Sequence, residues 1–78
     1  MEKLRYTDNG YIIQFGKNEG EFLEDVIRND PSYIYWCMGH LDDETTDTID
    51  FVAGEMILLH QIPYNYWDIA ERGDKIED

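Results

Sequence analysis

Basic residues are scarce in this chain. Lys and Arg number 6 against 18 Asp and Glu, a formal net charge of −12. None of the basic residues falls between positions 29 and 71, a span holding nine acids. Such a balance repels nucleic acid and acidic membrane surfaces and attracts basic ones. Cysteine is nearly absent too. A lone Cys37 rules out an intrachain disulfide, and no clustered Cys/His set is present for structural zinc. An unpaired thiol fits a reducing compartment. No apolar run approaches the ~20 residues of a membrane span, and residues 56–59 read as a piece of core. The first ten residues lack the apolar centre of a secretion signal. The expectation is a soluble protein of the cytoplasm.

Seventy-eight residues make a single domain, residues 1–78. A chain of this size buries only about 60% of its unfolded surface, so its core rests on apolar packing, extended by a homodimer or another partner. Six Tyr, three Phe and two Trp supply large contact areas for that packing.

Leu4 and Tyr6 alternate with polar neighbours, Asp8-Asn9-Gly10 signals a turn, and residues 11–15 are rich in strand formers. A β-hairpin over 3–7 and 11–15 follows, with Tyr11, Ile13 and Phe15 on the core face. The loop Gly16-Lys17-Asn18-Glu19-Gly20 reverses the chain, and residues 20–22 could add a third strand. Leu23, Val26 and Ile27 recur at the spacing of a buried helical stripe, predicting a helix over 23–29. Asp30-Pro31 ends it and starts the next, Asp30 as N-cap and Pro31 as first helical residue. That second helix would turn Tyr33, Trp36 and Cys37 to one face and close at Gly39.

Thr45, Thr46 or Asp47 could cap a longer helix reaching about Gln61. Its apolar seam is Ile49, Val52, Met56 and Leu59, broadened by Phe51 and Leu58. Gly54 in its interior suggests close packing against another backbone. Pro63 breaks the pattern, residues 64–72 predict a last helix, and residues 74–78 read as a disordered acidic tail.

Phe15-Gly16-Lys17, Gly20, Leu23, Val26-Ile27 and Asp30-Pro31-Ser32-Tyr33 with Trp36 come in an order and spacing that resembles the exodeoxyribonuclease-X-like C-terminal domain family. The resemblance spans residues 15–36. It implies an accessory module, with no agreed catalytic residues, appended to nucleases and other nucleic-acid-handling proteins or standing alone in phage genomes. For a phage protein the compartment would be the host cytoplasm. Where the family places further Lys, as in G-K-x-K-G-K, this chain has Glu19 and Glu21, reversing the sign expected for contact with DNA.

Few residues carry a chemical signal. Lys17 could approach a phosphate through its loop amides, but the loop lacks G-x-x-x-x-G-K-[ST]. The plainer role is a lysine solvated or paired with a nearby acid. His40 and His60 fall at helix ends, where a cation is favourable, without the partners a metal or general base requires. Cys37 reads as a small buried apolar residue. The acids Asp42, Asp43, Glu44, Asp47 and Asp50 are the best functional candidates. Asp43, Asp47 and Asp50 share a helical face if the long helix begins early. The stretch lacks the Gly and closing Glu of an EF-hand loop, so neither metal nor cofactor is expected. Tyr33, Tyr35, Tyr64, Tyr66 and Trp67 cannot all be buried in so small a core, and such rings are favoured interface anchors.

The sequence therefore predicts a small α+β domain: an N-terminal hairpin or three-stranded antiparallel sheet packed against two to four helices. The leading functional expectation is a phage-type accessory protein, not an enzyme. Its acidic surface would bind and inhibit a nucleic-acid-handling enzyme or host defence complex by resembling nucleic acid. Asp42, Asp43, Glu44, Asp47 and Asp50 would carry the charge, and Tyr64, Tyr66 and Trp67 would anchor the contact. The alternative is direct nucleic-acid binding by Lys17, Arg5, Lys3 and Arg28, which the net charge opposes. No membrane partner is expected.

Overall fold

The computed structural model describes residues 2–76. In chain order it contains β1 (Leu4–Thr7), β2 (Gly10–Ile13), a 3-10 turn (Gly16–Asn18), α1 (Leu23–Asn29), α2 (Pro31–His40), α3 (Asp43–Leu58) and α4 (Tyr66–Arg72). The architecture is α+β, an N-terminal antiparallel hairpin with four helices. No described helix is long and apolar enough to cross a membrane.

The Asp8-Asn9 turn sets the hairpin register, with Leu4 opposite Ile13 and Tyr6 opposite Tyr11. The two tyrosine rings meet edge to face at 5.1 Å, a cross-strand pair of the kind that stabilises sheets. The third strand is reduced to a single bridge, Ile12 to Phe22. The Ile13 amide donates to the Glu21 carbonyl at 2.9 Å, and the Gly20 amide to the Ile13 carbonyl at 2.8 Å. α1 starts at Leu23 and ends the pairing there.

Leu23, Val26 and Ile27 are buried, as their spacing predicts, and the core joins them to Ile13, Ile34, Cys37, Ile49, Met56 and Tyr66. The α1–α2 junction has one requirement of its own. The last carbonyls of a helix have no partner within it. The amide that would follow Ile27 by four residues belongs to Pro31, which has no N–H. Tyr66, on α4, fills the gap: its hydroxyl donates to the Ile27 carbonyl at 2.7 Å. The interior around it is shielded, since Tyr66 is 0% exposed.

Several sequence expectations change. α2 turns Pro31, Ile34 and Cys37 inward and leaves Trp36 48% exposed; a narrow stripe of smaller residues outcompetes the rings for the inner face. The helix runs through Gly39 to His40. α3 starts earlier than the threonines suggest, because Asp42 is its cap, accepting from the Thr45 amide at 3.0 Å and the Thr45 hydroxyl at 2.8 Å. The buried seam of α3 is Thr45, Ile49, Ala53 and Met56, with Val52 packed at its side. Leu59 lies beyond the helix end, and Phe51, Leu58 and Leu59 are exposed. Gly54 has no neighbour within 4 Å of where a Cβ would stand, so no backbone packs there.

α3 and α4 stop in the same way. The His60 amide donates to the Ile57 carbonyl and the Gln61 amide to Met56; the Gly73 amide donates to Ala70 and the Asp74 amide to Ile69. Both are Schellman closures, which need a left-handed residue. Gly73 takes it at φ 77°, and His60 takes it at φ 58° with a side chain attached. The start of the expected acidic tail is tied down by this closure and by Ile76, which packs against the core. Its last residues, 77 and 78, lie outside the described residues.

Candidate functional site

Two surfaces collect the exposed chemistry. The first is the acidic start of α3. Asp42 holds the helix N-terminus, and the hydrogen bonds from the Thr45 hydroxyl and amide hold its carboxyl below the usual aspartate range. Asp43 and Glu44 sit in the first turn, where negative charge complements the helix dipole. Because the helix begins at Asp43, Asp43, Asp47 and Asp50 fall on one face, and all three are exposed. Next to them the hairpin and α3 enclose a cavity of about 610 Å³, whose lining includes Lys3, Tyr6, Tyr11, Asp42, Glu44 and Thr48. Among the described residues no three His, Cys, Asp or Glu side chains are placed to hold a metal ion.

The second surface is a stacked row on the outer side of α2. Tyr33 and Trp36 lie parallel, 12° apart with centroids at 5.9 Å. Trp36 and His40 stack more closely, at 4.3 Å and 8°. The His40 Nδ1 lies 2.8 Å from the Trp36 carbonyl, which fixes the imidazole in the row. Lys17 closes the other end, with its ammonium 4.9 Å from the Tyr33 ring centroid and 3.2 Å from Asp30 Oδ2. Gly16 makes this possible. Its φ of +65° suits glycine, and a Cβ there would stand 2.9 Å from the Tyr33 hydroxyl. Asp30 thus turns its carboxylate to Lys17 and the Ser32 hydroxyl, the latter at 3.4 Å, and does not cap α2 with it. Burial pushes the Tyr33 hydroxyl, at the inner edge of the row, and the Cys37 thiol beneath it upward in pKa. A thiol kept protonated and buried is a core group, not a nucleophile.

The structure divides the anchor residues. Tyr64 is 89% exposed, and Trp67 packs partly against the core. Tyr66 is a correction: its ring and hydroxyl are committed to the interior, and it offers nothing to a partner. The four alternative cations are spread among acids and rings. Lys17 pairs with Asp30, and Arg28 with Asp25 at 3.6 Å. Lys3 lies 6.0 Å from the Phe15 centroid beside the cavity it shares with Asp42 and Glu44. Arg5 stands exposed on β1. Sequence reasoning missed the row itself. Its signal was the spacing of Tyr33, Trp36 and His40 along one side of a helix, hidden by the assumption that the rings point inward.

The fold and these surfaces define a small hairpin-and-helix module. Residues 13–42 match the family model described as exodeoxyribonuclease X-like C-terminal, a C-terminal domain and not a catalytic one. The match contains the resemblance seen over residues 15–36 and adds the turn into α3. It takes in Gly16, Lys17, Asp30, Tyr33, Trp36 and His40, and it ends at Asp42, the α3 cap. The acidic face of α3 and all of α4 lie beyond it. No curated protein and no solved structure matches the chain.

Proposed function

We propose that this chain is a small acidic accessory protein of phage type that binds, and inhibits, a nucleic-acid-processing or host defence protein in the host cytoplasm. It acts by binding, with no chemistry of its own. The observation carrying this reading is the exposed acidic start of α3. Asp42, Asp43, Glu44, Asp47 and Asp50 occupy a rise of about 12 Å at 1.5 Å per residue, a mean spacing of about 3 Å between charges. Duplex DNA carries one per ~1.7 Å and a single strand one per ~3.4 Å, so the linear density matches that of one strand. No Lys or Arg lies between positions 29 and 71, and Lys3, across the cavity from Asp42 and Glu44, relieves the charge at one edge only. A groove shaped for phosphates would meet a similar field, while Tyr64 is an exposed ring past the far end of α3, near Leu58 and Pro63, and would be a separate point of contact. The experiment is affinity capture from host lysate followed by competition with DNA. Capture should weaken with salt and fail when Asp43, Glu44, Asp47 and Asp50 become their amides. A partner held at full strength by that variant would refute the mechanism.

A second reading, direct binding of single-stranded nucleic acid, is favoured by one observation, the row of Lys17, Tyr33, Trp36 and His40. Exposed rings can stack bases irrespective of sequence. A gel-shift at low salt, where phosphate contacts are strongest, should then detect binding lost in Trp36→Ala. No shift at low salt disposes of it.

A further inference from the structure

We propose that β1 takes up an extended basic segment of a partner protein as an added antiparallel strand, with alternate Lys or Arg side chains entering the cavity between the hairpin and α3. This assignment rests on the reading above of a basic protein partner and states how that partner is held. The sheet has two strands, so the outer side of β1 is an open edge. The Gln14 amide donates to the Lys3 carbonyl at 2.9 Å. Bonded and non-bonded pairs alternate along an antiparallel ladder. Arg5 and Thr7 therefore bond to Ile12 and Gly10, whereas Leu4 and Tyr6 face Ile13 and Tyr11 without bonding. Ile13 fits this phase, since its amide and carbonyl bond to Glu21 and Gly20 on the far side of β2.

The amides and carbonyls of Leu4 and Tyr6 thus point away from the sheet, and no backbone hydrogen bond among the described residues reaches them. Two donors and two acceptors at strand spacing are a template for another extended backbone. β1 packs extensively only on β2, which leaves room for one.

Charge selects the occupant. A residue placed opposite Leu4 or Tyr6 shares their face of the sheet. That face looks onto the cavity of about 610 Å³, where Leu4 and Tyr6 meet three acids, Glu2, Asp42 and Glu44, and a single base, Lys3. Tyr6 is 71% exposed and offers its ring to a cation. An ammonium or guanidinium carried in by the added strand finds carboxylates and a ring face together. Arg5 lies on the opposite face of β1 by alternation and repels a second basic side chain there. The fitting segment therefore alternates Lys or Arg with uncharged residues. A second copy of this chain does not fit: its β1 would bring the uncharged Leu4 and Tyr6 to the acids, and each chain carries a net charge of −12.

A short peptide alternating Thr with Lys, added to the full chain, tests the contact by amide hydrogen exchange. With peptide at about ten times its Kd, exchange of the Leu4 and Tyr6 amides should slow about tenfold. Two N-methylated peptides of equal composition and charge decide the mode. Methylating the Lys amides, which donate to the Leu4 and Tyr6 carbonyls, should abolish binding. Methylating the Thr amides, which face away, should leave it. Glu44→Gln should weaken binding several-fold, and more than Asp47→Asn with Asp50→Asn, which lie outside the cavity. Binding that survives methylation of the Lys amides, or that leaves Leu4 and Tyr6 unprotected, would be charge attraction alone and would overturn the proposal. So would no binding by any of the peptides, or loss on methylating the Thr amides. A lysate partner that still competes with DNA would in those cases leave the acidic-face reading standing. Peptide held at the edge with no partner captured would remove the inhibitor reading and leave the edge site.

Discussion

Replacing Tyr66 with Phe removes one oxygen and tests the junction of α1 and α2. The Ile27 carbonyl loses the hydroxyl bond of 2.7 Å, and position 31, a proline, offers no amide in its place. The ring stays where it was, fully buried, so the apolar contribution is unchanged. A buried acceptor left without a partner costs about 1–3 kcal/mol. Taking about 2 kcal/mol, and a urea dependence of about 1 kcal/mol per molar for so small a domain, the urea midpoint should fall by about 2 M. The thermal midpoint should fall by about 10 °C. Trp67, whose ring meets that of Tyr66 edge to face at 5.1 Å, provides a fluorescence signal close to the change. Urea titration followed by fluorescence and by far-ultraviolet circular dichroism would give midpoint and slope. A midpoint within experimental error of the parent, at the same slope, would refute the argument, because the carbonyl would then have found water or never required a partner.

Three further outcomes follow from the same geometry. Asp42→Ala should lower the thermal midpoint at neutral pH, because the cap and its Thr45 bonds are lost. The folded carboxyl lies below its unfolded range, so its contribution is complete above about pH 4 and disappears as pH falls through the lower folded value. The gap between parent and variant should close in strong acid, and a constant gap would place the effect elsewhere. His60→Gly should stabilise the fold by about 0.5–1 kcal/mol, since the left-handed penalty is removed and glycine's larger unfolded-state entropy offsets only part of the gain; a loss of stability in thermal melts would contradict this. Gly16→Ala should destabilise by about 1–2 kcal/mol from backbone strain alone, plus the clash with the Tyr33 hydroxyl. Tyr33→Phe in the same chain should recover the clash but not the strain in urea titrations.

Much of the fold is legible in the sequence where one local pattern has one structural answer. Asp8-Asn9-Gly10 can hardly be anything but a turn, Leu23, Val26 and Ile27 give a single buried stripe, and Pro31 can only open a helix. Where several residues compete for one role, the sequence does not arbitrate. Asp42, Asp43, Thr45, Thr46 and Asp47 are all cap formers, and only the seating of Ile49 and Met56 in the core shows that the turn begins at Asp42. The end of α3 lacks the glycine that would mark it, because His60 takes the left-handed position. The candidate site divides in the same manner. The acidic face followed from helical spacing, whereas Tyr66 was misplaced because its burial depends on a carbonyl 39 residues away. The stacked row was obscured because ring size suggests burial, while Trp36 sits on a helix whose inner face is already filled by Ile34 and Cys37.

The buried thiol on α2 makes this small protein a reporter of its own breathing. Cys37 is the only cysteine, it is enclosed in the core, and the helix that carries it packs most extensively against α4. An alkylating reagent can reach the sulfur only while that packing is open, and its capture rate then tracks the population of the open form. Labelling in water at several denaturant concentrations would show whether α4 detaches alone or only with the whole fold. If it detaches alone, the exposed row on α2 and the helix behind it exchange on different clocks, with no second probe needed to see it.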